Sequence, residues 1–370
     1  MWTTDTASME VAADLRGPAV KGRVRPVGAL SLSGGRTAVL DGNAPRVLYF
    51  DRDGEVESMR ELLPQGVQPG VRPQKFVRIA GDTIGVLAGR RAFVLDESGG
   101  LIRNFDAAKL RASGVPRLRM VLALLTGGRT VLGIVGQQEQ PSSGLTRWTD
   151  SMTVVVVDST MAIAKELGRW PAVYLEARNG QPRQVWFAPH AVVSSRDSII
   201  YVGFGSDYRI DAHTATGRLQ RSFSRPWTRV QVTRADIDAY IEGWSKNWMK
   251  GTAAEVERQK RDMHGDPFFP YVPAFSELFV AWNGELWAHT PSLADARSEG
   301  ELYSVPLVPS RWSIFDREGR WTGEATLPAF SHPRDVRDGF VLTVEAGRDV
   351  GKVLRRKLKR ADGPPRRAAA

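Results

Sequence analysis

A recurring pattern of short strands and tight turns constrains the fold of this chain more than any other sequence feature. Each copy contains a glycine-bearing turn, an apolar strand, a loop, a second apolar strand that ends near an aspartate, a short turn and a third strand. The clearest copy extends from Gly34 to Val56. Because each copy can form one small antiparallel sheet, the repetition predicts sheets packed around a common axis. Further copies begin near Gly81, Gly127, Asp197, Asn283 and Arg337.

The repeated aspartates are interpreted as turn-forming residues rather than as an acidic site. In the turn Asp51–Gly54 the carboxylate can accept backbone N–H bonds, and the glycine supplies a positive φ. Asn283 and Gly284 form a second strong hairpin signal. The aspartates assigned to the ends of repeat strands are Asp51, Asp96, Asp158, Asp211 and Asp316.

The repeat resembles the six-bladed β-propellers that are grouped with NHL-type and TolB-like proteins of bacteria. Their blades often read DGR…V.D……V.VFD..G, as Arg46–Val56 does here. The resemblance implies an all-β, six-bladed β-propeller that forms one domain over residues 1–360, and it specifies a fold rather than a chemistry. Because such proteins are frequently exported, it also implies a periplasmic or extracytoplasmic location if a leader is missing, and a cytoplasmic one otherwise.

The last repeat provides strands up to about Leu358 but lacks a fourth strand. A sheet that ended there would present unpaired backbone groups at its edge. We therefore expect a segment near the N-terminus, within Ser8–Arg16, to complete the last blade.

Residues 233–264 depart from the strand pattern and predict a helical insertion between blades four and five. Apolar residues recur there at helical spacing. Thr252 followed by Glu255 forms a capping box that predicts the start of a second helix, and Gly265 predicts its end. The apolar positions of the first helix are Ile237, Tyr240, Ile241, Trp244 and Trp248.

The chain carries a formal net charge of +10, and much of it lies near the C-terminus. Residues 348–370 hold nine lysines and arginines against two aspartates. We interpret residues 361–370 as a basic disordered tail, through which an anionic partner such as a nucleic acid or a lipid surface could bind. No run of 18 apolar residues predicts a transmembrane helix.

The sequence contains no pattern that predicts a catalytic residue, a metal site or a cofactor. Cysteine is absent, which excludes thiolate nucleophiles and cysteine-ligated metals. The five histidines are scattered, and neither Gly34-Gly35 nor Gly127-Gly128 matches a nucleotide-binding loop. Propeller lactonases hold a divalent ion through ligands that are dispersed in sequence. A metal-dependent hydrolase of the lactonase or esterase kind, with its site at the axial channel, is therefore the alternative function.

The long segments between predicted strands all fall on one face of the predicted propeller. We call it the insertion face, and we call the opposite face, which carries the tight turns within each blade, the short-turn face. Long loops on one side of a rigid scaffold commonly carry a binding site. We therefore predict that the insertion face recognises a protein or a small ligand without catalysing a reaction. The long segments are 136–151, 168–188, 224–274 and 290–310.

Tryptophans and basic residues on these segments are the candidate binding residues. Aromatic rings could stack on a ligand, or tryptophans such as Trp244 could form a small core beneath the helices. An axial mouth lined by arginines and aromatic residues would favour binding, whereas converging carboxylates with an asparagine would favour a hydrolase. The candidate binding residues are Trp148, Trp227, Lys246, Lys250 and Arg258.

Overall fold

The strands of the chain form six antiparallel units of four or five strands each. Units 1 and 2 are separate four-stranded sheets, and unit 3 has five strands. The computed structural model describes residues 2–15, 24–63, 72–110, 118–136, 147–178, 181–247, 249–293, 308–345 and 352–360. Unit 1 contains β2 (Pro26–Ser31), β3 (Thr37–Asp41), β4 (Arg46–Phe50) and β5 (Val56–Glu61). Unit 2 contains β6 (Lys75–Ala80), β7 (Thr83–Ala88), β8 (Arg91–Leu95) and β9 (Leu101–Asp106). Unit 3 contains β10 (Leu118–Leu124), β11 (Thr130–Val135), β12 (Arg147–Val157), β13 (Ile163–Arg178) and β14 (Gln181–Gln184).

Unit 4 is a separate four-stranded sheet, whereas units 5 and 6 are the two halves of one eight-stranded sheet. The N-terminal strand β1 (Trp2–Asp14) belongs to unit 6. Unit 4 contains β15 (Ala191–Arg196), β16 (Ile199–Phe204), β17 (Arg209–Thr214) and β18 (Leu219–Ser224). Unit 5 contains β19 (Glu277–Val280), β20 (Leu286–Thr290), β21 (Ser310–Phe315) and β22 (Trp321–Leu327). Unit 6 adds β23 (Ser331–Arg337), β24 (Phe340–Glu345) and β25 (Lys352–Arg360) to β1.

Unit 1 changes from buried inner strands to an exposed outer strand. Every residue of β3 and β4 is buried, whereas most residues of β5 are exposed. Because successive side chains of a strand point to opposite faces of its sheet, complete burial requires a neighbouring unit on both faces. Tyr49 accordingly shares a core cluster with Phe76 of unit 2, and Leu48 shares one with Leu342 of unit 6.

The first strands of the six units contact one another in a closed series. Strand β2 contacts β6, β6 contacts β10, β10 contacts β15, and β15 contacts β19. Strand β19 in turn contacts β23, and β23 contacts β2. This arrangement makes the all-β fold propeller-like, with the first strand of each unit innermost.

Aspartates stabilise the tight turns between the third and fourth strands, as the sequence predicts. In unit 1 the Asp51 carboxylate accepts hydrogen bonds from the backbone N–H groups of Asp53 at 2.9 Å and Glu55 at 3.0 Å. Such bonds satisfy backbone donors that the strand ladder leaves unpaired. Equivalent pairs of bonds are accepted by Asp96, Asp158 and Asp316.

The prediction for Asp211 is wrong. This residue lies within β17, opposite Val202 and Ser222, and the strand continues for three more residues. Thr214 occupies the turn position, where its hydroxyl accepts a bond from the Arg218 N–H at 3.1 Å. A threonine hydroxyl performs the role that the repeat gives to aspartate in the other units.

The N-terminal strand completes unit 6. Strand β1 pairs antiparallel with β25, with Glu10 opposite Arg355 and Val11 opposite Leu354. Its first residues also pair in parallel with β22, where Trp2 lies opposite Ala325. The predicted edge strand within Ser8–Arg16 is therefore confirmed for its pairing with β25, although the strand begins earlier than predicted.

Two helices lie between β18 and β19, near the predicted positions. Helix α1 spans Arg234–Asn247 and helix α2 spans Ala253–His264. The Thr252 hydroxyl accepts a bond from the backbone N–H of Glu255, and the Glu255 carboxylate accepts one from the N–H of Thr252, which forms the predicted capping box. Among the described residues, neither helix is long and apolar enough to cross a membrane.

Two segments that were predicted as long loops contain strands. Strand β12 begins at residue 147 and β13 continues to residue 178, so parts of 136–151 and 168–188 form a ribbon that extends unit 3. Trp148 lies opposite Leu175 in this ribbon, and Leu175 is buried. Cross-strand apolar pairs of this kind stabilise a hairpin extension, which explains why the pairing continues past the usual strand length.

Candidate functional site

The five candidate binding residues lie in three separate places. Trp148 is half-buried on the unit 3 ribbon, and Trp227 packs against the core between units 4 and 5. Lys246 pairs with Glu242 at 3.3 Å on α1, while Lys250 and Arg258 are exposed. Within the described residues, no hydrogen bond, ion pair or ring contact joins any two of the five.

The helices cover an aromatic core, as the alternative interpretation of the tryptophans predicts. Tyr240 and Ile241 of α1 are buried against Phe187, which lies just before β15. The Tyr240 and Phe187 rings meet edge to face at 4.8 Å, and Trp186 contacts Trp244 at 5.9 Å. Trp248 lies outside the described residues.

A buried ion pair crosses the axis near the short-turn face. The Arg78 guanidinium of β6 donates to the Asp335 carboxylate of β23 at 2.7 Å and to the Ser31 carbonyl of β2 at 2.6 Å. Asp335 also accepts the backbone N–H of Ser31 at 2.9 Å. Asp82 lies 3.7 Å from Arg78 and accepts the N–H of Ser33 at 2.7 Å. These contacts link units 1, 2 and 6 at the centre of the molecule.

Three guanidinium groups surround one indole at this end of the axis. Trp282 follows β19, and the guanidinium carbons lie 4.0 Å from its ring centroid for Arg337, 4.4 Å for Arg78 and 5.8 Å for Arg196. Arg196 also donates to the carbonyl of Ala281. Cations over an indole face are attracted by its negative π surface. Side chains of units 2, 4, 5 and 6 therefore fill the axis at the short-turn face.

A second charged cluster lies where the inner strands begin, towards the insertion face. Glu277 is the first residue of β19, and its carboxylate lies 3.0 Å from His332 Nε2 and 3.7 Å from Arg334 Nη1 of β23. The charges of Glu277 and Arg334 act in opposite directions on the pKa of Lys75, the first residue of β6. Units 2 and 5 lie on opposite sides of the ring. The electrostatic interaction between Lys75 and Glu277 therefore indicates that the cluster lies near the axis.

His190 and Ser276 continue the cluster towards unit 4. The backbones of Ala188 and Ser276 lie close to the His190 ring and favour its protonated form. The Ser276 hydroxyl lies 2.8 Å from His289 Nδ1, and the His289 ring contacts Trp312 at 5.0 Å. We call this end of the axis the axial mouth. Its polar groups are held by hydrogen bonds on one side and by buried aromatic rings on the other. We call Lys75, His190, Glu277, His332 and Arg334 the axial cluster.

Burial lowers the pKa of two members of the axial cluster. It lowers the pKa of Lys75, and Arg334 lowers it further, whereas the Glu277 carboxylate opposes the shift. Burial also lowers the pKa of His190, against the opposing effect of its two backbone neighbours. Both side chains nevertheless keep part of their surface accessible. Perturbed ionisable groups of this kind are typical of functional sites.

Sequence reasoning missed the axial cluster because its members come from four different units. Each lies at or near the start of an inner strand. The signal that could have found them is a charged or imidazole side chain just before an apolar run, as in Lys75-Phe76-Val77 or Glu277-Leu278-Phe279. Among the described residues, no group of three or more histidine, aspartate or glutamate side chains is arranged to hold a metal ion.

The buried imidazole of His190 predicts a loss of stability in acid. Because the pKa of His190 is lower in the folded than in the unfolded chain, the unfolded chain binds more protons below about pH 6.5. Stability should therefore decrease as the pH falls through that value. Urea unfolding of the wild type and of His190→Gln at pH 7.5 and pH 5 should show a smaller acid-induced loss in the variant. Equal losses in the two proteins would contradict this role for His190.

Comparisons with known proteins agree with the fold. No family model matches the sequence, and no curated protein matches it significantly. A member of the DUF4221 family from Bacteroides vulgatus is similar in structure, with a TM-score of 0.54 and 10% identity over 97% of this chain and 98% of that chain. A protein from Bacteroides fragilis gives a TM-score of 0.48 and 11% identity over 96% and 97%, and a streptogramin B lyase gives 0.42 and 11% over 95% and 97%. At these identities the likeness concerns the fold alone, which is all-β and propeller-like.

Proposed function

We propose that the six units are the blades of one NHL-like, six-bladed propeller over residues 1–360. The helices near 233–264 are then an insertion between blades four and five. The closed series of contacts between inner strands supports this count, because unit 6 neighbours unit 1. The pairing of β1 with β25 supports it as well, since it gives unit 6 its fourth strand.

The function proposed for this propeller is non-catalytic binding of a ligand through the insertion face. The observation that carries the proposal is the difference between the two ends of the axis. Arg78, Asp335 and Trp282 fill the axis at the short-turn face, whereas Lys75 and His190 keep accessible surface at the other end. An accessible end of the axis that carries a few convergent polar groups suits a small ligand or the end of a peptide.

The helical insertion supports the choice of face. Phe187 packs against Tyr240 of α1 and lies only three residues before His190 of the axial cluster. Leu293, from the segment that follows β20, packs on the same aromatic core. The helices and this segment thus adjoin the axial mouth, and we propose that they form one of its walls.

The rim of the mouth is proposed to contain four of the candidate binding residues. Trp148 has an indole N–H that is buried without a hydrogen-bond partner among the described residues, so a ligand could accept a bond from it. Lys246, Lys250 and Arg258 give the helices a basic edge that could face an anionic partner. The packing of Trp227 in the core between units 4 and 5 favours a structural role for that residue.

Hydrogen exchange with a bound ligand tests the proposal. A library of small metabolites is first screened by thermal shift, and exchange is then measured with the compound that stabilises the protein most. We expect protection at the starts of β6, β15 and β19 and in α1, because these elements surround the axial mouth. The tight turns 51–55 and 316–320 provide the internal control and should exchange at unchanged rates.

Two outcomes would overturn the proposal. Protection confined to the tight turns 51–55 and 316–320 would place binding on the short-turn face. Hydrolysis of lactones or aryl esters by the purified protein, if a chelator abolished it, would replace the binding function with the metal-dependent hydrolase.

A further inference from the structure

The two helices of the insertion enclose a groove on their solvent side, with a volume of about 700 Å³. Tyr240 and Ile241 of α1 and Met263 of α2 are buried in the aromatic core beneath the helices. Charged residues on the other side of each helix therefore form the walls of the groove. These walls include Arg234, Asp238 and Glu242 of α1 and Lys260, Arg261 and His264 of α2.

Ion pairs balance the charges at one end of the groove. Lys260 Nζ lies 2.7 Å from the Glu242 carboxylate and 3.2 Å from the Glu257 carboxylate. Lys246 pairs with the same Glu242 at 3.3 Å. Two lysines thus neutralise two glutamates, and the pair between Lys260 and Glu242 joins the two helices.

The other end, which we call the histidine end, carries more positive than negative charge. Arg234 Nε lies 3.0 Å from Asp238 Oδ1, so one guanidinium group already has a carboxylate partner. Arg261 lines the groove one helical turn before His264. Among the described residues, Arg261 forms neither an ion pair nor a hydrogen bond. One carboxylate is therefore shared by two guanidinium groups.

The contacts of His264 at this end depend on its protonation. Its Nδ1 atom lies 3.0 Å from Arg234 Nη2 and 3.4 Å from Asp238 Oδ1. A neutral imidazole can accept a hydrogen bond from the guanidinium group through Nδ1, whereas a protonated imidazole can only donate one. Protonation therefore ends the bond to Arg234, favours Asp238 as the partner of His264, and adds a third positive charge. The imidazole is 33% exposed and can exchange protons with solvent.

Three further aspartates on or beside these helices do not line the groove. Asp236 accepts bonds from the backbone N–H and the hydroxyl of Thr233 at 2.9 Å and 2.6 Å. Asp266 accepts the indole N–H of Trp186 at 3.1 Å. Asp262 is exposed on another side of α2. The excess of positive charge at the histidine end is therefore not compensated by these carboxylates.

We propose that the histidine end binds a tetrahedral oxyanion, the phosphate or sulfate group of a ligand, when His264 is protonated. Arg261 donates to the oxyanion, Arg234 donates to it after losing its bond to His264, and the imidazolium provides the third cation. The planar fork of a guanidinium group matches the oxygens of such anions. Asp238 limits the affinity by repelling the ligand. The site lies on the outer side of the helices and does not depend on the ligand of the axial mouth.

Calorimetric titration with sulfate tests the proposal. Sulfate remains a dianion from pH 5.5 to pH 8, so a change of affinity in this range arises from the protein. We expect binding to tighten about tenfold between pH 8 and pH 5.5, because imidazoles titrate within this range. Ionic strength is kept constant with chloride. Inorganic phosphate is titrated at pH 6 alongside sulfate, and the tighter of the two identifies the group that the site prefers.

Four variants locate the anion within the groove. At pH 5.5, Arg261→Met should weaken sulfate binding at least about fivefold, because it removes a charge-assisted hydrogen bond. His264→Gln should bind sulfate weakly and equally at both pH values. Asp238→Asn should bind more tightly than the wild type, because it removes the repelling carboxylate. Arg218→Met is the matched control: Arg218 is also exposed, but it lies in the turn between β17 and β18, and its removal should leave binding unchanged.

Proton uptake provides an independent signature of His264. At pH 7, binding should take up protons, which is measured by calorimetry in two buffers of different ionisation enthalpy. The uptake should disappear in His264→Gln. The melting temperatures of all variants should remain near that of the wild type, because the substituted side chains are largely accessible.

Three outcomes would overturn the proposal. The first is failure of the wild type to bind either anion at pH 5.5. The second is equal affinity in Arg261→Met and Arg218→Met, which would show that the anion does not bind in the groove. The third is equal affinity of the wild type at pH 8 and pH 5.5, which would remove His264 from the site.

Discussion

Replacing Arg78 with methionine is expected to lower the free energy of unfolding by about 3–5 kcal/mol. The side chain is 3% exposed and donates to Asp335, which is 1% exposed. Methionine fills similar space but leaves the Asp335 carboxylate buried without its cation. Losing one partner of a buried ion pair costs more than the pair contributes, because the remaining charge stays desolvated. Urea unfolding monitored by tryptophan fluorescence measures the change.

An exposed ion pair provides the matched control. Arg320 is 77% exposed and pairs with Asp316 at 2.7 Å. Arg320→Met should change the free energy of unfolding far less than Arg78→Met does, because an exposed ion pair contributes little to stability. The double variant Arg78→Met/Asp335→Asn should recover part of the loss, because it removes both buried charges. A loss for Arg78→Met no larger than that for Arg320→Met would contradict the view that the ion pair closes the axis.

Deleting residues 2–14 is expected to produce the other large effect. The deletion removes β1 and so exposes the backbone groups of β25, with which β1 pairs along most of its length. It also removes Ala12 and Ala13 from the core that units 1 and 6 share. We expect the melting temperature to decrease by roughly 10 °C or more, and we expect the exposed edge to promote association of the protein. Calorimetry and light scattering measure the two effects.

The C-terminal residues provide the comparison for this deletion. Residues 361–370 follow β25, and the sequence predicts that they are a basic tail that contributes nothing to folding. Their removal should leave the melting temperature unchanged. If the deletion of residues 2–14 were equally harmless, the closure of unit 6 by β1 would not stabilise the fold.

The regular parts of the fold could be predicted because each repeat contains the residues that its own turn requires. Asp51 and Asp316 occupy turns at which a carboxylate must accept backbone donors, and these local requirements are visible in a single copy of the repeat. Asp211 shows the limit of the same reasoning. Its neighbours fit the motif, but cross-strand pairing with Val202 and Ser222 places it inside a strand. Strand register depends on partners that the local sequence does not specify.

The sites on the axis could not be predicted for a related reason. Arg78 and Asp335 are separated by 257 positions, and Lys75 and Glu277 come from opposite sides of the ring. Only the closure of the ring brings them together. The tryptophans were visible in the sequence, but tryptophan composition alone does not distinguish a ligand-stacking ring from one such as Trp244, which packs in a core.

The pairing of β1 with β25 has a consequence for synthesis of the protein in the cell. The residues of β1 leave the ribosome long before their partners in β25 do. At ordinary rates of translation this interval lasts roughly 20–70 s. During that time units 1 to 5 can form, but the strand from Trp2 to Asp14 has no antiparallel partner. The closure of unit 6 therefore waits for β25, and a nascent chain that stalls before β25 would present an unpaired strand to chaperones and to other copies of itself.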